Sequence, residues 1–126
     1  MTSKKESVEG REHRRFKVPK DAFVALRSDY LKLGQIEHVG IDGLEFSYAT
    51  SEGPIDAPFE LDIFLAGTAF YLYKVPFQTV SDAETVNETA FPSLPIRQCA
   101  VQFGELTTNQ RSQLEYFIQN YTTGEA

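Results

Sequence analysis

Between Phe23 and Phe103 the sequence passes through six short stretches rich in β-branched and aromatic residues: Phe23 to Leu26, Gln35 to Val39, Leu44 to Tyr48, Phe59 to Leu65, Ala69 to Val80 and Arg97 to Phe103. Turn-forming residues separate them, with Asp42-Gly43, Gly53-Pro54 and Ala66-Gly67-Thr68 at three of the connections. Branched and aromatic side chains suit a pleated, half-buried surface, and Gly, Pro and Asp supply the conformations that reverse a chain, so each stretch reads as a strand. In Phe59-Glu60-Leu61-Asp62-Ile63 apolar and acidic residues alternate, which predicts a strand with one face in a core and the other in water. Asp42-Gly43 predicts a tight hairpin with both central residues at positive φ. The long segment from Ser81 to Pro95 fits either a hairpin excursion or a loop over a barrel mouth.

After the sixth stretch the periodicity changes. Thr107 and Gln110 stand three apart, as a capping box requires, and Leu114, Phe117, Ile118 and Tyr121 follow at helical spacing. This predicts an amphipathic helix over about residues 107–122, ending near Gly124. Strands followed by one helix imply an all-β or mainly β domain, a small antiparallel barrel or sandwich with the helix packed on an open end. A chain of 126 residues with 41% hydrophobic content can bury one core, so residues 16–126 are expected to form a single domain. Residues 1–15 are too polar to pack and are expected to form a flexible basic arm.

Charge is unevenly placed along the chain. Residues 1–20 hold seven Lys or Arg against three Glu, whereas the whole chain has a net charge of -6, so the remainder is strongly acidic. Arg11, Arg14 and Arg15 crowd together just ahead of the first strand. A guanidinium is always charged and forms paired hydrogen bonds to a phosphate or to a guanine edge, so this cluster is built to meet an anion. The acidic body disfavours a nucleic-acid backbone as that anion. A single cysteine, Cys99, and two histidines, His13 and His38, compose no zinc site, and Cys99 is assigned to the core. No apolar stretch spans a membrane and the amino terminus lacks a signal peptide's apolar region, so the expected location is the cytoplasm. Phe70-Tyr71-Leu72-Tyr73 and Tyr116-Phe117 are assigned to the core and Asp82, Glu84 and Glu88 to a solvated loop face. No nucleophile with an adjacent base can be assembled, so neither an enzyme nor a cofactor is expected.

The order of parts resembles the PilZ domain family, whose members bind the bacterial second messenger cyclic di-GMP. Arg11 and Arg15 match the family's Arg-x-x-x-Arg motif before the first strand, with Arg14 as an additional cation. The second family motif, Asp or Asn followed by x-Ser-x-x-Gly, aligns with His38-Val39-Gly40-Ile41-Asp42-Gly43, where only Gly43 agrees. The tail Val101-Gln102-Phe103-Gly104-Glu105-Leu106 leading into the helix also looks like the family. The resemblance implies a six-stranded antiparallel β-barrel with a C-terminal helix. It further implies a cyclic di-GMP site at Arg11, Arg14, Arg15, His38, Gly40 and Gly43.

The departures carry a chemical consequence. An Asp at the first hairpin position would accept two hydrogen bonds from a guanine N1 and N2 edge, and the serine hydroxyl would add a contact; His38 and Gly40 copy neither. Losing a charge-assisted bond costs about 1.5–3 kcal/mol, or about 10- to 100-fold in affinity. Two readings follow from the resemblance. One is a sensor that binds cyclic di-GMP with weakened affinity and regulates a downstream protein of the motility or exopolysaccharide-export type. The other is a degenerate adaptor that has lost the nucleotide and works through protein contacts, as a homodimer for example.

Overall fold

The computed structural model describes residues 14–27, 32–50, 60–85 and 95–126. Its elements are β1 (Phe16–Lys17), β2 (Ala22–Arg27), β3 (Lys32–Val39), β4 (Gly43–Ala49), β5 (Glu60–Leu65), β6 (Tyr71–Glu84), β7 (Ile96–Phe103), α1 (Thr108–Tyr121) and β8 (Gly124–Glu125). Neighbouring strands run antiparallel in the order β2-β5-β6-β7-β4-β3, and β3 pairs back onto β2, so six strands close a barrel. Closure leaves no long edge among these strands, which is how small all-β domains avoid pairing with other chains.

The barrel interior follows from the period-two patterning. Ala22, Val24 and Leu26 on β2, Leu44, Phe46 and Tyr48 on β4, and Leu61, Ile63 and Leu65 on β5 point into one cluster. Cys99 and Val101 of β7 join it, as do Leu114 and Phe117 of α1. A helix outside the barrel wall reaches that interior only through an open end, so α1 closes one mouth. Phe70 packs against Phe117 at 5.1 Å and against Tyr121 at 5.8 Å. The capping box is formed: the Gln110 amide donates to the Thr107 hydroxyl and the Thr107 amide to the Gln110 side chain, each at 3.0 Å. Gln110 also donates to the Tyr73 and Lys74 carbonyls, tying the first helical turn to β6.

Several local expectations are corrected. The β3–β4 connection is not a two-residue turn on Asp42-Gly43: Gly40, Ile41 and Asp42 form the loop, Gly43 begins β4, and neither Asp42 nor Gly43 has positive φ. The Gly40 amide closes the loop on the Gly43 carbonyl at 2.8 Å. Of the two readings of the segment from Ser81, the hairpin excursion holds as far as the described residues go and the loop face given to Asp82 and Glu84 does not: Ser81 to Glu84 are the outer part of β6, paired with β7 as far as Arg97, and Thr85 continues the ladder to Ile96. Polarity misled there because the Asp82 carboxylate, opposite Cys99 on β7, is covered by Arg97 and Tyr48, partners distant in the chain. Asp82 accordingly lies on a strand, held by Arg97 at 2.8 Å and by the Tyr48 hydroxyl at 2.6 Å. The helix, Thr108–Tyr121, keeps within a residue of the expected 107–122, but it does not run on to Gly124, because Gly124–Glu125 form β8. Tyr71, Tyr73 and Tyr116 are exposed rather than core, whereas Phe117 is fully buried. Gly53-Pro54, Glu88 and Phe59 lie outside the described residues.

Two short elements had no signature in the sequence. β1 pairs with the end of β3, Phe16 opposite Val39 and Lys17 opposite His38, and β8 pairs with β1. Two-residue strands carry no periodicity, so their existence depends on the partner surface. Their consequence is positional, because they bring both ends of the described chain to the β3–β4 loop.

Candidate functional site

Arg15 immediately precedes β1, so the β1–β3 pairing lays it alongside Gly40 and Asp42. The Arg15 carbonyl accepts the Ala126 amide at 2.9 Å, and the Arg15 Nη2 lies 3.3 Å from the Asp42 Oδ1. Arg15 has a side chain only 13% exposed. Its Nε and the Asp42 Oδ1 are buried without a hydrogen-bond partner, so this ion pair leaves bonding capacity unmet, a state costing about 1–3 kcal/mol per group. Gly40 makes the approach possible: a Cβ there would lie 2.6 Å from the Arg14 carbonyl oxygen and 3.0 Å from the Arg15 Cδ. The Asp42 carbonyl in turn accepts the Phe103 amide at 2.9 Å, fixing the loop against the end of β7.

The remaining residues named from the sequence divide around this corner. Arg14 extends into solvent, 75% exposed, with its Nε 3.7 Å from Glu125 of β8. His38 is not on an exposed turn: the β3–β4 register shifts beside Glu37, which sets His38 against Glu45, its Nδ1 3.2 Å from the carboxylate. Gly43 faces β7, where a Cβ would run into the Val101 carbonyl oxygen, so the sheet itself requires glycine at this position. Arg11 lies outside the described residues. The structure therefore gathers Arg14, Arg15 and Gly40 with Asp42, which the β1–β3 pairing sets against Arg15.

A groove of about 800 Å³ opens beside this corner, between Arg14, Phe16 and Ile41 on one wall and Ser112, Glu115, Tyr116, Ile118 and Gln119 of α1 on the other. Of these helix residues Tyr116 was assigned to the core and Ile118 to the helix's apolar spacing, whereas Ser112, Glu115 and Gln119 were not singled out from the sequence, although a signal existed. Once Leu114 and Phe117 are assigned inward, Ser112, Glu115 and Gln119 fall on the opposite face at spacings of three and four.

A second polar centre lies on the outer face of the barrel. Asp62 sits where β5 and β6 slip register, with Tyr73 and Lys74 bulging opposite it. It is 2% exposed, contrary to the wet face expected for it. Its carboxylate accepts from Arg27 at 2.8 and 2.9 Å, from the Tyr71 hydroxyl at 2.7 Å and from the Lys74 amide at 2.8 Å. The hydrogen bond to Asp62, with burial added, pushes the Tyr71 phenol up to about 12. Burial also pushes the Cys99 thiol up to about 12, which leaves it inert. Among the described residues no group of three or more His, Cys, Asp or Glu is placed to hold a metal ion, and no helix is long and apolar enough to cross a membrane.

No family model and no curated protein sequence matches this chain. Solved structures match its shape. The c-di-GMP-bound PilZ domain of YcgR from Escherichia coli superposes with a TM-score of 0.67, covering 90% of this chain and 92% of that one at 12% identity. The fold is PilZ-like. MrkH from K. pneumonia in complex with c-di-GMP gives a TM-score of 0.70 at 14% identity, covering 90% of this chain and 52% of that one. A further MrkH structure, described as a c-di-GMP-dependent transcription regulatory factor, gives 0.67 at 14% identity. The PilZ-like chain thus spans about half of MrkH and 44% of a longer YcgR chain. The closed six-strand barrel and closing helix agree with the fold expected from the order of parts.

Proposed function

We propose that this PilZ-like chain is a non-enzymatic signalling module that binds cyclic di-GMP at the corner formed by Arg14, Arg15 and the Gly40–Asp42 loop, with Arg11 completing the arginine pair. The observation that carries the reading is the Arg15–Asp42 pair: a nearly buried guanidinium held at the family's motif position with one N–H unmet. An anionic oxygen arriving there satisfies Arg15, and Asp42 is the internal counter-ion it must displace or share. The c-di-GMP carried by YcgR and MrkH structures of this fold supports the same ligand class. Binding would then alter the surface shown to a downstream protein in the cytoplasm.

The degenerate-adaptor reading draws support from one specific contact. His38 is already engaged with Glu45, so the hairpin position that offers a guanine-binding carboxylate in the family offers none here. Restoring the family's serine at Gly40 would not be a clean repair, because its Cβ would press on the Arg14 carbonyl.

Calorimetric titration of the full chain with cyclic di-GMP separates the two. The sensor reading expects saturable heat in the parent and at least about a 10-fold loss of affinity in Arg15→Ala, the magnitude of one charge-assisted contact. Absence of binding up to about 1 mM, a limit near -4 kcal/mol, assigns the chain to the adaptor class.

A further inference from the structure

We propose that a guanine base of the ligand seats in the α1 groove, stacked on Tyr116, with Glu115 accepting its N1–H and N2–H edge and Arg14 donating to its O6 and N7 edge. This deepens the cyclic di-GMP reading and rests on it. Guanine recognition needs a flat apolar face, a carboxylate for its donor edge and a guanidinium for its acceptor edge. At the first hairpin position the carboxylate is missing, because His38 stands there against Glu45, and the carboxylate of the loop itself, Asp42, faces Arg15. The groove holds all three groups on walls that face each other, Arg14 on one side and Glu115 and Tyr116 on the other.

The geometry around Tyr116 fits a stacking platform. It is 54% exposed, while its helix neighbour Phe117 is anchored in the core. Tyr121 meets its ring edge-on at 5.9 Å, which braces the ring. Phe16 and Ile41 supply apolar surface across from it. At about 800 Å³ the groove has the size of sites that take ligands of this class. Arg14 bridges the groove to the Arg15 corner, so one base in the groove places the adjoining phosphate toward Arg15. Glu115 also gives the site a means of choosing its base: adenine has no N1–H and no N2 donor, so its edge would set a lone pair against the carboxylate.

The test is titration of the full chain with cyclic di-GMP and with cyclic di-AMP, in the parent and in Glu115→Gln, Tyr116→Ala and Tyr116→Phe. Glu115→Gln is expected to lose about 10-fold or more for cyclic di-GMP and nothing for cyclic di-AMP, shrinking the discrimination between them. Tyr116→Ala should weaken both ligands by about 10-fold, whereas Tyr116→Phe keeps the stack and binds as the parent does. Should Tyr116→Ala lower the melting temperature, Glu115→Gln alone decides. Affinities within about twofold of the parent in Glu115→Gln and Tyr116→Ala, with Arg15→Ala still defective, would overturn the groove and leave the corner standing. A parent that binds neither ligand overturns both.

Discussion

Replacing Asp62 by alanine is expected to reduce the unfolding free energy by about 3 kcal/mol, read as a lower urea midpoint at an unchanged slope. The carboxylate is buried and accepts four hydrogen bonds, two from Arg27 and one each from the Tyr71 hydroxyl and the Lys74 amide. Lys74 is the one non-glycine residue at positive φ among those described, at 56°, and the bond from its amide to Asp62 helps hold that conformation. Without the carboxylate the Lys74 amide and the Tyr71 hydroxyl lose their acceptor while the bulge keeps its unfavourable backbone. Arg27 is part-exposed and can turn to water, which keeps the loss at the lower end of the range for a broken buried pair.

The same carboxylate sets a pH dependence. Burial pushes the Asp62 carboxyl upward, but bonds from Arg27, the Lys74 amide and Tyr71 outweigh it and hold the group below its ordinary value. A depressed folded-state pKa gives stability that is fully present above the ordinary carboxylate value of about 3.9 and lost as pH falls through the folded one. The parent and Asp62→Ala should therefore differ most near neutrality and converge in acid. A variant within about 1 kcal/mol of the parent at pH 7 would show that Asp62 is solvated in solution and that the account of the bulge is wrong.

Gly43→Ala is expected to be comparably damaging for a different reason. The new Cβ would meet the Val101 carbonyl oxygen in the neighbouring strand, and backbone cannot swing aside as a flexible side chain can. Relief requires β4 and β7 to part where seven residue pairs hold them in register. A cost of about 3 kcal/mol corresponds to roughly 10 °C in melting temperature for a domain of this size. Gly67→Ala is the matched control, since Gly67 lies in an exposed turn and its Cβ would meet nothing closer than the Asp21 carboxylate at 3.4 Å. Equal melting temperatures for the two variants would refute the packing argument. Weakened ligand binding in Gly43→Ala would report on the sheet, so Arg15 and Glu115 are the better probes of the site.

The order of strands and helix was legible in the sequence because it depends on short-range pattern, although the turn read at Asp42-Gly43 did not form. All six strands were legible, because branched and aromatic residues between turn residues leave the backbone little else to do. The cap at Thr107 and Gln110 was legible because both halves of the box lie within one turn. Cys99 was placed in the core correctly by composition and surroundings. Arg11, Arg14 and Arg15 announced an anion without saying what would face them.

Which groups meet depends on the assembled barrel. Period two tells which side chains share a face and nothing about what covers that face, so Asp62 read as wet although Arg27 and Tyr71 close over it. Asp82 read as loop because its partners Tyr48 and Arg97 stand 34 and 15 residues away in the chain. β1 and β8 exist only because β3 offers an edge at Val39, and that edge in turn sets Arg15 on Asp42. The groove combines Arg14 at one end of the chain with Glu115 and Tyr116 near the other. Bringing such residues together carries a loop-closure cost that local propensity cannot meet. Closing the barrel and burying its core overcome that cost, so the sites exist only after the whole sheet has formed.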